Sequence, residues 1–528
     1  MNFSNLKSKL YPLLGAMLFL AILSQAAAQP DVNRPFEKAA RGPMTELDHL
    51  VMAGLQKKGI QPANPCSDLV FFRRAYLDLI GTLPEAQEAW AFMGDTNPEK
   101  RAKLIDDLLE RDEYADYWSL KWCDILRVKA EFPINLWPNG VQAYHRWVHT
   151  AIKENMPYDR FAWELLTSSG SNFRVPQVNF YRAMQGAKAS TIAECVGLTF
   201  MGVRLTNWPE KYRDNMEAFF SRVAFKGTAE WKESVVFFDP ATTSSLKSML
   251  PDGKLVVVEP DQDPRQVFTH WLVQKDNPWF AKNAVNRYWF WLMGRGIVHE
   301  PDDFRVDNPA SNPELLDYLA AEFVESGYDP KHIIRLIANS QTYQQSCIPK
   351  SDSPEAETLF AFYPPRRLDA EVLLDAINQL TNGRESYSSA IPEPFTFIPE
   401  TQRTILLADG SITSQYLEMF GRPSRDTGML LERNNELTEG QRLYLINSTE
   451  LQDKLNRSWK FRNAIRIAKA DPRKMVNAIY MMTITRPATD EEFETLQAYF
   501  DEQKLKGQKA AVDLAWSLIN SKEFLYRH

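Results

Sequence analysis

NPWFAKNAVNRYWFWLMGRGIVHEPDDFRVDNPASNPELLDYLAAEFVESGYDPKHIIRLIANSQTYQQS, residues 277–346, spells three helices with their starts and stops in place. Asn277-Pro278 reads as a cap followed by a first-turn proline, whose missing N–H costs nothing there. The helix runs from Trp279 through Ala284, Tyr288 and Trp291 to Met293, and Gly294 and Gly296 end it. Lys282, Asn283, Asn286 and Arg287 share one polar arc; beyond Arg287, Phe290 and Met293 take over that arc, which predicts burial all round at the far end. Asn312-Pro313 opens a second helix through Leu315, Leu316, Leu319 and Phe323. Asp329-Pro330 opens a third with Ile333, Ile334 and Ile337.

The same grammar extends outward. Ser67 caps a helix with Phe72 and Tyr76 inward, Thr82-Leu83-Pro84-Glu85 reads as a capping-box start, and Asn97-Pro98 opens a helix carrying Leu104, Ile105 and Leu108. An aromatic helix spans about Tyr114 to Val128. Between residues 228 and 262 the pattern changes: VVFF (235–238) and LVVV (255–258) are β-branched runs bounded by proline and glycine. FTFI (395–398) and TILL (404–407) read as further strands. The fold class expected is mainly α: helical domains at 43–227 and 263–528, joined by a small β insert at 228–262.

Residues 1–28 read as a signal peptide, with Lys7 and Lys9, an apolar run from Leu13 to Leu23, and Ala26-Ala27-Ala28 as the cleavage site. Residues 29–42 form a leader. No later stretch is apolar enough to span a membrane. The expected location is therefore exported, in the periplasm or outside the cell. The net charge of −7 becomes −9 once Lys7 and Lys9 are removed, which argues against nucleic acid. The 14 Trp, 19 Tyr and 30 Phe fall mostly in helical core patterns rather than carbohydrate platforms. Cys66, Cys123, Cys195 and Cys347 occur in neither CxxC nor CxxCH spacing, so neither a zinc site nor a disulfide framework is indicated, and their pairing stays open.

The stretch FFRRAYLDLIGTLPEAQEAWAFMGDTNPEKRAKLIDDLLERDEYADYW (71–118) resembles the opening of a planctomycete-type family of exported proteins. These pair a cytochrome-c-like domain of unknown function with a second, family-specific domain. The resemblance continues through MPYDRFAWELLTSSGSNF, VNFYRA, the stretch at 277–346, RRLDAEVLLDAI (366–377), FGRPSRDT and SLINSKEFLYRH. It implies a haem-bearing relative, yet this chain departs from the pattern twice. GVRLTNWPEKYRDNMEAFF (202–220) holds no cysteine or histidine where relatives have CxxCH. Gly428-Met429-Leu430-Leu431 stands where relatives show Cys-x-Cys. Covalent haem is therefore not expected, and no other cofactor is. The resemblance also implies exported sulfatase-like partners or surface polysaccharide.

Two groups carry candidate chemistry. His145 and His149 sit at metal-ligand spacing on one helix face, but two ligands fall short of a zinc site. His299, Glu300, Asp302 and Asp303 form a polar loop that could bind calcium, supply an acid and a base, or simply cap turns and pair with Arg287, Arg295 or Arg305. Asn286 and Arg287, with Arg366 and Arg367 before Asp369 and Glu371, are polar groups in core-like settings. They fit either an interdomain ion-pair network or a cleft for an anionic ligand. The reading favoured is a non-haem binding or scaffold protein of the cell envelope. A metal- or carboxylate-dependent hydrolase or lyase, and an electron-transfer protein, are the alternatives.

Overall fold

A computed structural model describes residues 35–38, 42–241, 243–399, 401–469 and 471–528. The expected signal peptide and most of the expected leader lie outside the described residues. The protein is mainly α. Its central helix, Phe280–Met293, starts where Asn277 Oδ1 accepts the N–H groups of Trp279 and Phe280, both at 3.0 Å, and stops at Gly294 in the left-handed conformation. Asn312 and Asp329 cap Pro313–Glu325 and Pro330–Asn339 through their side chains. One cap is displaced from its expected place. The helix Ala86–Gly94 begins after Glu85, whose backbone N–H is taken by Glu88, because Pro84 can sit just outside the first turn.

Around residues 223–258 the chain forms two small antiparallel sheets. In the first, β1 (Gly170–Ser171), β2 (Val223–Gly227) and β3 (Ser234–Phe238) lie in the order β1-β3-β2; in the second, β4 (Leu246–Met249) pairs with β5 (Leu255–Val258). Both β-branched runs are thus strands, but the first sheet reaches beyond the expected insert, taking β2 from Val223 and β1 from Gly170–Ser171. The other two expected strands are not formed. Residues 395–398 are turn and loop, with Phe395 and Phe397 exposed. Thr404–Leu406 is a single 3₁₀ turn because the Asp375 carboxylate takes the N–H groups of Thr404 (2.7 Å) and Ile405 (3.2 Å), donors a sheet would need.

One continuous apolar core runs from Leu47 to Leu525 through both helical halves. Its centre is aromatic. Trp118 and Trp122, on the helix Asp112–Ile125, pack on Trp291 of the central helix with ring centroids 5.6 and 5.7 Å apart, and Tyr288 lies 5.5 Å from Trp118. Such pairs each add ~0.5–1.5 kcal/mol to ordinary burial. Polar contacts also cross between the halves: the buried Asp48 carboxylate accepts from the backbone N–H groups of Gln341 and Thr342 at 3.0 and 2.8 Å. A short pair, β6 (Arg366–Arg367) with β7 (Tyr526–Arg527), brings residues far apart in sequence side by side.

Beyond the central helix the chain turns so tightly that a Cβ at Gly296 would lie 2.2 Å from the Val298 carbonyl oxygen. The buried Asn286 amide fixes that turn, donating to Val298 O and accepting from its N–H, both at 3.0 Å. Gly296→Ala should therefore cost ~1–3 kcal/mol. Gly227→Ala, where an added Cβ meets nothing within 4 Å, should leave stability nearly unchanged. Urea unfolding of both variants checks the contrast.

Candidate functional site: a charged cavity between the two halves

The sequence-predicted residues do not form one site. His149 Nε2 lies 2.9 Å from Asp116 Oδ1, and the His145 ring is 6.2 Å from that of His149. Burial, with Arg425 nearby, pushes the His145 imidazole down to about 3, so it is neutral at pH 7. No group of three or more His, Cys, Asp or Glu side chains able to hold a metal occurs among the described residues. The four cysteines are unbridged.

In the loop at 299–303, each carboxylate has its own partner. Asp302, 2 % exposed, accepts from Arg287 Nη2 at 2.9 Å and from the Leu430 N–H at 2.6 Å. Asp303 faces Arg305 at 3.2 Å, and the exposed Glu300 faces Arg204. Arg287 also donates to the carbonyls of Leu198 and Thr199, and Asn283 donates to that of Thr199, so the polar arc of the central helix closes the turn at Gly197–Met201. His299 stacks beside Phe290 at 6.4 Å, and burial holds its imidazole below the ordinary histidine range.

The two segments that depart from the family pattern meet at this loop. Gly202 O accepts from the Phe304 N–H at 2.8 Å on one side, and Leu430 N donates to Asp302 on the other. Attaching haem covalently takes two thiols and an imidazole. Gly202–Phe220 supplies neither, and Cys195 stands alone on the helix Ala189–Val196, so these residues do not fit that group.

Arg366 and Arg367 part company. Arg366 Nη2 binds Asp78 Oδ1 at 2.7 Å and the Leu292 carbonyl at 2.8 Å, closing the end of the central helix. Arg367, 1 % exposed, pairs with no carboxylate among the described residues; the carbonyls of Phe420, Asn434 and Asn435 and the amide of Gln441 surround it. Burial accordingly lowers its pKa.

Arg366 also lines a cavity of about 150 Å³. Its ionic wall consists of Lys121, Asp124, Arg366, Asp369, Arg433 and Arg527. Its apolar wall includes Phe290, Trp291, Met429 and Leu430. The far end of the central helix is therefore not buried all round: Phe290 and Trp291 stay partly exposed because they face this space. Asp369 Oδ2 accepts from Tyr117 Oη (3.0 Å), Lys121 Nζ (2.7 Å) and Arg527 Nη2 (2.9 Å), and its Oδ1 from Asn435 (2.9 Å). Arg433 bridges Asp124 at 2.7 Å and Glu371 at 2.6 Å, and Arg425 holds the other Asp124 oxygen at 2.8 Å. Arg422 lies 3.3 Å from Glu371.

Six cations thus share four carboxylates: Lys121, Arg366, Arg422, Arg425, Arg433 and Arg527 against Asp78, Asp124, Asp369 and Glu371. Protonation follows that excess. Burial alone would push Asp369 up, yet Lys121, Arg527 and Arg433 hold it well below the usual carboxylate range. Arg433 and Arg422 likewise overcome burial and bring Glu371 to about 2. Burial, aided by Arg433 and Arg527 against the pull of Asp369, brings Lys121 down to about 8. A site so built holds and orients charge. Lys121, Asp124, Arg433 and Arg527 escape sequence reading; Lys121 and Asp124 show only as charges within an aromatic and apolar run, and Arg433 sits in an ordinary polar stretch, Glu432 to Glu436.

A helical protein whose two halves enclose an ionic cavity is the class this geometry defines. Residues 46–206 match the family model PSCyt2, a protein of unknown function (DUF1549), and residues 264–500 match PSD1, a protein of unknown function (DUF1553). The chain belongs to the proteins that pair these two domains. No curated protein and no solved structure matches it. Lys121 and Asp124 come from the first matched segment and most of the remaining wall from the second, with Arg527 beyond it.

Two predictions test this description. Asp302→Ala, which strands a buried guanidinium, should lose ~3–5 kcal/mol in denaturant unfolding, whereas Glu300→Gln on the surface should lose ~0–1 kcal/mol. The pH dependence of stability should have a defined sign. With Glu371 at about 2 and Asp369 also depressed, the unfolded chain binds more protons as the solution is acidified. The stabilisation is complete above pH ~5 and is lost as the pH falls towards ~2. Thermal melts across that range should show a progressive fall, with Glu371→Gln flattening it.

Proposed function

We propose that the protein is an exported, non-haem binding protein of the cell envelope that holds a small ligand in the cavity between its two matched segments. The observation that carries this reading is the cavity's construction. Both segments contribute charged walls, so a bound ligand touches both at once and strengthens their union. Export rests on the signal-like residues 1–28. A role beside sulfatase-like partners or surface polysaccharide is proposed from the family resemblance alone. The hydrolase reading is weakened because Glu300, Asp302 and Asp303 are each held by a different arginine and do not converge. The electron-transfer reading is weakened because the donor set for covalent haem is absent from 202–220.

The test is a thermal-shift screen of small molecules, charged and neutral, on protein exported from a haem-competent host. A ligand at about a hundred times its Kd adds ~2.7 kcal/mol to the folded state. Hits should raise Tm for the wild type and not for Met429→Trp, whose indole fills the cavity. A Soret band with stoichiometric iron, or a library in which nothing raises Tm, would sink the proposal.

A further inference from the structure

The charge and donor pattern of the cavity selects its ligand; this step rests on the binding reading above. The group around the cavity carries two more cations than carboxylates, all of them buried or largely so. An uncompensated charge in such a place is costly, and a counter-charge inside the cavity relieves it. The donors that remain are cationic too. Among the described residues, Lys121 Nζ donates to Asp369 alone, which leaves two of its three N–H groups unused. Arg527 donates through Nη2 to Tyr117 and Asp369, and its Nη1 has no hydrogen-bond partner among the described residues. Both residues line the cavity, together with the apolar Phe290, Trp291 and Met429. Arg433, by contrast, spends its guanidinium on Asp124 and Glu371 and contributes field rather than contact. The volume of about 150 Å³ is that of a single-ring guest, since an apolar cavity of ~150 Å³ accommodates benzene.

We propose that the cavity is a binding site for a small oxyanion, a carboxylate, sulfate or phosphate group on a body no larger than one ring. Lys121 and Arg527 take the oxygens, and the Phe290–Trp291 wall covers the body. Arg366, fixed between Asp78 and the end of the central helix, keeps the local field positive. The carboxylates at the wall are already saturated with donors and do not repel the guest as free charges would.

Isothermal titration of the dialysed protein in a chloride buffer tests this directly. The probes are sulfate, phosphate, acetate, benzoate and glucuronate, set against the neutral benzyl alcohol and glucose. Saturable one-to-one binding of at least one anion is expected, with its neutral counterpart at least tenfold weaker. Lys121→Met and Arg527→Gln should each weaken the anion at least tenfold and leave the neutral probe unmoved. Binding by sulfate or phosphate would assign the site to the inorganic group itself. Binding confined to benzoate or glucuronate would show that the ring is recognised as well; either supports the proposal. Neutral and charged probes binding equally would overturn the anion assignment but keep the cavity as a binding site. If no probe binds to wild type, both fall. Should either variant fail to fold, the wild-type comparison of charged with neutral probes decides the matter.

Discussion

Asp369 is the hinge of the electrostatic architecture. Its carboxylate, 1 % exposed, has to be ionised in a largely desolvated place, and it is held so by Lys121, Arg527, Tyr117 and Asn435. Losing one partner of a buried pair costs ~3–5 kcal/mol, so each partner constrains the element that bears it. Lys121 fixes the facing side of the helix Asp112–Ile125, Arg527 fixes the β6–β7 pair, and Asn435 fixes the loop behind the cavity. The cavity is what remains once these elements have converged on one carboxylate and Trp118 and Trp122 have met Trp291 edge to face between the two halves.

What could be read from the sequence was local. Asn277, Asn312 and Asp329, followed in each case by proline, announce helix starts through hydrogen bonds spanning two or three residues. These form wherever the helix forms. The β-branched runs at 235–238 and 255–258 likewise found partners close by in the chain. FTFI had the right composition but pairs with no strand among the described residues. TILL lost its N–H groups to the distant Asp375. Strand propensity reports fitness for a sheet, and the sheet itself has to be supplied by the rest of the fold.

The site was less legible for a physical reason. Lys121 and Asp124 lie among Trp118, Trp122 and Ile125, where helical periodicity says only that the helix is buried on most sides. What distinguishes a buried charge is its partner, and Asp369 is 248 residues from Lys121. Arg366 and Arg367 look alike in sequence, yet one meets Asp78 while the other is solvated by carbonyl dipoles. The acidic loop at 299–303 had the opposite history. Clustered in sequence, its carboxylates diverge in space, because neighbouring side chains in a tight loop point to different surroundings.

The pairing of Arg366–Arg367 with Tyr526–Arg527 has a temporal side. Arg527 meets Tyr117 across 410 residues of chain. Contacts separated so widely close late, since the entropy of a long loop is lost before any of them forms. As the ribosome delivers the N-terminal half, its helices can nucleate from their own caps, but Lys121 still lacks its carboxylate and Asp78 its guanidinium. Closure of the ionic chamber therefore waits for Arg527, the residue that joins Tyr117, Asp369 and Asp78. Before Tyr526–Arg527 arrive, Asp369 already has Lys121 and Asp78 already has Arg366, but the guanidinium that ties both carboxylates together is still missing.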